Sequence, residues 1–331
     1  MKPRLLVDAA VLDGTARALP LQWLQGFELQ SYSPKNLASV GPDARVQALL
    51  LRSVTKLMAP DLRLFPKLQG VATLSSGTDH IDTAALDRAG IALHTGHGGN
   101  AVAVTDWVQW ALTRSGRRLA GLRVAVVGVG AVGSLVAERL RNQGTVVLAC
   151  DPPRAQSESN FDSTDLDVLL EAGVDAVTLH VPLTRDGPHR TANLLTTGRL
   201  QLLVGGLVLN AARGEVLDAQ GAAQLRKQGA LSWLAIDTFA GEPHPDPAVL
   251  AHCDLATPHI AGHSLEGKRD VAQHAVAGLC RQFGLLGPLV AVDPPRAAEW
   301  SPLDAAAAAL KADGSRFETL RHAHTRHQCC P

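Results

Sequence analysis

The stretch LRVAVVGVGAVG, residues 122–133, decides how this chain folds. Val124, Ala125, Val126 and Val127 form an unbroken apolar run, the pattern of an inner parallel strand covered on both faces. Gly128, Gly130 and Gly133 then give the spacing G-x-G-x-x-G. The first glycine makes a tight turn, the second lets a pyrophosphate approach the backbone, and the third allows a helix to pack closely on the strand. SLVAERLRNQG has apolar positions at helical spacing and ends on Gly144, so a helix follows with its N-terminus facing the phosphates. TVVLACD reads as the next strand and ends on Asp151, close to the distance at which an acidic residue accepts hydrogen bonds from the adenosine ribose. A carboxylate there repels a 2′-phosphate and favours NAD over NADP, although the nearby Arg154 could accommodate that phosphate. The competing reading is a glycine turn in an ordinary α/β sheet, and the strand, helix, strand and acid around the turn weigh against it.

Upstream, apolar runs alternate with helical or turn-rich segments: RLLVDAAV, ALLLRSVT, VATLSS and GIALHTG. That rhythm predicts a first α/β domain with a small parallel sheet. Ligands bind at the carboxyl ends of such strands. RSVTK, with Arg52 and Lys56, and SSGTDHID, with Ser75, are therefore candidate substrate loops. For Arg52 and Lys56 the competing reading is solvated surface charge, and for Asp79 and His80 it is loop hydrogen bonding and capping of the next helix. HTGHGGNAV reads as a crossing between domains, with Asn100 as the cap of the helix that follows. Trp107 on that helix shares a face with Val104 and Val108, with Trp110 beside it, which fits either a core or a subunit interface.

Downstream, DAVTLHVPL, LVLNAAR, WLAIDTF and DLATPHIAG read as successive strands whose polar loops gather at one sheet edge. Three of those loops carry chemically matched groups: Arg213 in NAARG, Glu242 in AGEP and His259 in PHIAG. An arginine binds a carboxylate through two parallel hydrogen bonds, a histidine moves a proton near neutral pH, and a carboxylate orients that histidine. Each alone has a plain explanation as a loop ion pair, a surface acid or a core histidine. Three together beside a dinucleotide loop are harder to explain that way.

On the motifs RSVTK, SGTDHID, GNAVAV, GVGAVG, CDPPRA, NAARGEVLD, GEP and PHIAGHSLEGK, the chain resembles the D-isomer-specific 2-hydroxyacid dehydrogenases, from its N-terminus to about Gly284. Within them it is most similar to members that act on 4-phospho-D-erythronate, a step of pyridoxal phosphate biosynthesis. The resemblance implies two α/β domains, a Rossmann-type NAD-binding domain inserted into a flavodoxin-like substrate domain, with the active site between them. The expected boundaries are 1–98 for the first part of the substrate domain, 99–262 for the NAD domain, and 263–331 for the return to the substrate domain plus a tail. It makes Arg213, Glu242 and His259 catalytic. Cofactor binding falls to Gly128, Gly130, Ala131, Val132, Gly133, Asp151, Val181, Ala211, Asp237 and Gly262, and substrate binding to Arg52, Ser53, Lys56, Ser75 and His263. His263 stands where the family usually has tyrosine, and the tail is shorter than the C-terminal dimerisation domain of those members. A homodimer built largely on the NAD domains is still expected. The alternatives are a dehydrogenase of an unphosphorylated 2-hydroxy acid and an NAD(H)-sensing binding protein without turnover.

Composition agrees with a large enzyme. The 331 residues, 46% hydrophobic and with no formal net charge, can fill two cores and give no reason to expect nucleic acid or an anionic membrane as partner. MKPRLLVDAAVL reads as a first strand rather than a signal peptide because Asp8 interrupts the apolar run. Five cysteines without C-x-x-C spacing indicate neither a disulfide framework nor a zinc site, so no metal is expected and the cytoplasm is the expected compartment. The tail reads as a short alanine-rich helix, DAAAAALKADG, and then a disordered end, RHAHTRHQCCP. In that end His322, His324, His327, Cys329 and Cys330 match no familiar metal spacing.

Overall fold

The computed structural model describes residues 2–12, 19–33, 37–287 and 300–324. The chain divides into two compact units, Met1–Asn100 with Leu265–Pro294 and Ala101–Ser264 with Pro295–Pro331. The crossings fall two residues beyond the boundaries expected at 98/99 and 262/263.

In the first unit, β1 (Arg4–Asp8), β2 (Glu28–Tyr32), β3 (Val46–Leu51), β4 (Gly70–Thr73) and β5 (Ala92–Thr95) form one parallel sheet in the order β2-β1-β3-β4-β5. This is the flavodoxin-like doubly wound order. The inner strands β1, β3 and β4 are buried nearly throughout, as their apolar runs require. β2, ELQSY, has no such run: it is an edge strand with mostly exposed side chains, and pairing with β1 rather than periodicity makes it a strand. The helix Leu265–Gln282 covers one face of the sheet, packing Ala272, Ala275, Val276 and Leu279 among Leu5, Val7 and Leu50.

The second unit holds β6 (Arg123–Val127), β7 (Val146–Cys150), β8 (Ala176–Leu179), β9 (Leu207–Asn210), β10 (Trp233–Ile236) and β11 (Leu255–Ala256). They form a parallel sheet in the order β11-β10-β9-β8-β6-β7. The chain leaves β6 for β7 on one side and returns to β8 on the other. The topological switch point therefore lies between β6 and β8, where a doubly wound sheet opens its ligand crevice.

Of the two readings of the tryptophans, the core is the one observed. Trp107 and Trp110 on the helix Ala101–Arg114 are fully buried. The Trp107 indole N–H donates to the Thr257 hydroxyl at 2.9 Å, and that of Trp110 donates to Asp304 at 3.0 Å. Val104 and Val108 are buried as well, so this face is covered within the chain, which goes against the subunit-interface reading. The Asn100 side-chain oxygen accepts from the Ser76 hydroxyl at 2.9 Å.

The tail also departs from expectation. Residues from Leu265 rejoin the first unit, but the helices Ser301–Ala312 and Phe317–Ala323 belong to the second. Leu303, Ala306, Ala307, Leu310 and Phe317 form an apolar stripe, and burying it fixes the tail there. Arg321 and His322, assigned to a disordered end, lie in the second of these helices, and His324 just beyond it is buried. His327, Cys329 and Cys330 lie outside the described residues. Among the described residues, no helix is long and apolar enough to cross a membrane.

Candidate active site

The glycine turn has the geometry its spacing requires. Gly128 adopts a left-handed φ of 84°, and a side-chain carbon on it would stand 2.8 Å from the His180 carbonyl carbon, beside Val181. A carbon on Gly133 would stand 1.9 Å from the Gly128 oxygen, which is the close helix–strand approach read from the third glycine. Gly130, by contrast, faces open space within 4 Å and is the N-cap of the helix Ala131–Asn142, with no side chain satisfying the first turn. Open space before free first-turn N–H groups suits a pyrophosphate, so the residues present fit a dinucleotide.

Asp151 follows β7, and its carboxylate is fixed beside this turn. One oxygen accepts from the Val129 N–H at 2.7 Å and the other from the Arg154 N–H at 3.0 Å. Arg154 is turned to other work: it donates to the Val129 carbonyl at 2.7 Å, pairs with Glu158 at 2.9 Å and lies 4.2 Å over the Phe161 ring. With the arginine so engaged, the carboxylate is the group expected to decide cofactor choice. NAD should be preferred to NADP, and Asp151→Ala should narrow the preference. Equal kcat/KM for both cofactors in the unmodified protein would contradict this assignment.

Three adjacent strands deliver the polar groups. At the end of β9, the buried Asn210 clamps the turn that follows: its amide donates to the Arg213 carbonyl at 3.0 Å and its oxygen accepts from the Ala212 N–H at 3.1 Å. The Arg213 guanidinium donates back to the Ala212 carbonyl at 2.8 Å. After β10, Glu242 curls back so that one oxygen accepts the Phe239 N–H at 2.7 Å. Its other oxygen meets His259 Nδ1 at 2.8 Å. Burial alone would raise the Glu242 carboxyl, but the hydrogen bond and charge of His259, with the Phe239 N–H, outweigh it and hold the group below its usual range.

His259, after β11, sits at a φ of 54°, a conformation that non-glycine residues seldom adopt. Asp237 explains how it is held. Its backbone carbonyl accepts the His259 N–H at 2.8 Å, while its buried carboxylate accepts the Thr257 hydroxyl and the N–H groups of Ile260 and Ala261 at 2.6, 2.8 and 3.0 Å. Burial raises the Asp237 carboxyl from its ordinary value. Asp237, expected to bind the cofactor, also pins the histidine loop. Asn210, Thr257 and Phe239 do supporting work that sequence reading passed over, and only Asn210, inside the NAARG motif, carried a signal that could have found it.

Arg213, Glu242 and His259 therefore share one sheet edge with Gly128, Ala131, Val132, Asp151, Val181, Ala211 and Gly262 in the second unit. His263 closes the same loop, donating its N–H to the Ile260 carbonyl at 2.8 Å. The other expected substrate residues follow β3 and β4 in the first unit. There Arg52 makes a two-point pair with the buried Asp8 at 2.8 and 3.3 Å, so it is not the free surface cation of the plainer reading. Ser53 and Lys56 are exposed. The Ser75 hydroxyl donates to the Gly77 carbonyl at 2.8 Å. Asp82 caps the helix Thr83–Ala89, and His80 meets the Thr73 hydroxyl at 2.9 Å with burial lowering its pKa, the structural role weighed for that loop.

Residues 91–261 match the family model described as D-isomer specific 2-hydroxyacid dehydrogenase, NAD binding domain. The chain belongs to this family, and the second unit holds its NAD-binding domain. It is 44% identical to the erythronate-4-phosphate dehydrogenase of Pseudomonas aeruginosa over 236 residues, which is 70% of this chain and 62% of that protein. It is also 44% identical to that of Pseudomonas paraeruginosa over 275 residues, 81% of this chain and 68% of that one. The chain thus spans about three fifths of the length of the first of these relatives. In fold it is similar to a glyoxylate/hydroxypyruvate reductase from Sinorhizobium meliloti, with a TM-score of 0.69, 22% identity and coverage of 88% and 97% of the two chains.

Proposed function

We propose that the protein is an NAD-dependent dehydrogenase of a D-2-hydroxy acid, with 4-phospho-D-erythronate, oxidised to 2-oxo-3-hydroxy-4-phosphobutanoate, as its first candidate substrate. The observation that carries the reading is the Glu242–His259 hydrogen bond of 2.8 Å beside Arg213 on the edge that also holds the dinucleotide turn. An ionised carboxylate only accepts, so Glu242 fixes the imidazole proton on Nδ1 and leaves Nε2 to exchange a proton with the substrate. Arg213 holds the substrate carboxylate, and His259 Nε2 takes the hydroxyl proton in oxidation and returns it in reduction. Bound NAD supplies the hydride acceptor for the alpha carbon. The names of the relatives support the phosphorylated acid, as does the group of Arg52, Ser53, Lys56 and Ser75.

Asp8 bears on that second point in both directions: it orients Arg52 and offsets its charge. This favours, as a second reading, an unphosphorylated 2-hydroxy acid. A screen following NADH absorbance across phosphorylated and plain hydroxy acids separates the two. Because a charge-assisted hydrogen bond is worth roughly 1.5–3 kcal/mol, Arg52→Ala should weaken a phosphorylated substrate by about ten- to a hundredfold and a plain analogue little. An equal loss for both, or better turnover of plain acids by the unmodified protein, removes the phosphate site. Absence of turnover with any acid, together with tight NADH binding, would turn the reading towards a sensor.

A further inference from the structure

The tail helices raise a question that the NAD-binding fold does not answer: what their burial does at this end of the sheet. The helix Ser301–Ala312 runs beside β11, the edge strand, and is tied down at both ends. Asp304 accepts from the Trp110 indole and from two nitrogens of Arg114, at 3.0, 2.8 and 2.6 Å, and the Lys311 ammonium donates to the Cys253 carbonyl at 2.7 Å. The chain then turns and places Phe317, fully buried, edge-on against Phe239, with ring centroids 6.4 Å apart and planes at 82°.

Phe239 is the residue on which the site's loops meet. Its N–H holds Glu242 at 2.7 Å, and Glu242 holds His259. Its backbone is also the seat of the arginine loop, since a side-chain carbon on Gly214 would stand 2.0 Å from the Phe239 carbonyl carbon. We propose that Phe317 is a positioning residue for proton transfer: by fixing Phe239 from behind, the tail sets the distance between Glu242 and His259. This rests on the function proposed above. The charged groups that bear on Glu242 are His259 and, from the tail itself, Arg321, which favours the ionised carboxylate and pairs with Glu318 at 3.7 Å. The tail thus bears on the same carboxylate through its packing on Phe239 and through the charge of Arg321. The family match ends at residue 261, before the tail begins.

The test compares Phe317→Leu, which keeps most of the volume, with Leu225→Ala, a buried change on the helix Ala219–Lys227. Both should lower Tm. In protein carrying isotope-labelled histidine, the hydrogen-bonded Nδ1 proton of His259 is identified as the signal lost in His259→Ala. Phe317→Leu should broaden or remove that signal and lower kcat by about ten- to a hundredfold, the scale of a small misplacement, with KM for NAD unchanged. Leu225→Ala should retain both signal and kcat. A Phe317→Leu protein that keeps the signal overturns the proposal, as does a Leu225→Ala protein that loses it equally. The signal needs no substrate, so it decides the positioning role even if no hydroxy acid is turned over.

Discussion

His259→Ala is expected to lower kcat by about 10²- to 10⁴-fold, the usual contribution of a positioned general base, while NADH binds as before. Nothing in the dinucleotide turn depends on the imidazole, so a variant that also lost NADH would point to collapse of the loop rather than loss of the base. A variant that bound NADH and kept most of its turnover would remove His259 from the mechanism. Glu242→Gln tests the partner. The folded carboxyl lies below its ordinary value, so its support for His259 is complete above the normal carboxylate range and is lost only as the pH falls through the depressed value. Across the working range Glu242 is therefore an anion hydrogen-bonded to His259. With glutamine in its place, the acid limb of the kcat/KM profile in the oxidation direction should move to lower pH, and an unmoved limb would reduce Glu242 to a structural part.

How much of this was legible in the sequence follows from what each feature depends on. The glycine turn depends on backbone space, and only glycine meets that need, so Gly128 and Gly133 were readable by type and spacing alone. The placement of Arg213, Glu242 and His259 along one side of the sheet was readable because each follows an apolar run that reads as a strand. β2 was not, since its strand character comes from its neighbour. The tryptophan face was ambiguous because large aromatics serve cores and interfaces equally well, and only Thr257 and Asp304, 150 and 194 residues away, decide between them. The tail failed for the same reason: alanine-rich sequence says helix but not which unit will bury it. Asp237 was assigned to the cofactor by resemblance, and its hold on the histidine loop was not legible because its three acceptor contacts all lie some twenty residues on.

Arg213 should show that charge alone is not enough. Two parallel hydrogen bonds to a substrate carboxylate, each worth roughly 1.5–3 kcal/mol, place the loss in kcat/KM for Arg213→Met at about 10²- to 10⁴-fold. Lysine keeps the positive charge but has a single ammonium in place of the planar fork, so Arg213→Lys should recover only part of that loss and remain about ten- to a hundredfold below the unmodified protein. The fold favours this strict dependence on shape. Asn210 clamps the turn from both sides and Gly214 is wedged against the Phe239 backbone, so the main chain cannot move to bring a shorter side chain to the same point. NADH binding should be unchanged in both variants, because the clamp is made by Asn210 and not by the guanidinium. Full activity in Arg213→Lys would mean that the residue acts only as a point charge. Equal losses for Lys and Met, with the carboxylate still bound in a competition assay, would place the arginine's effect on the hydride step rather than on holding the acid.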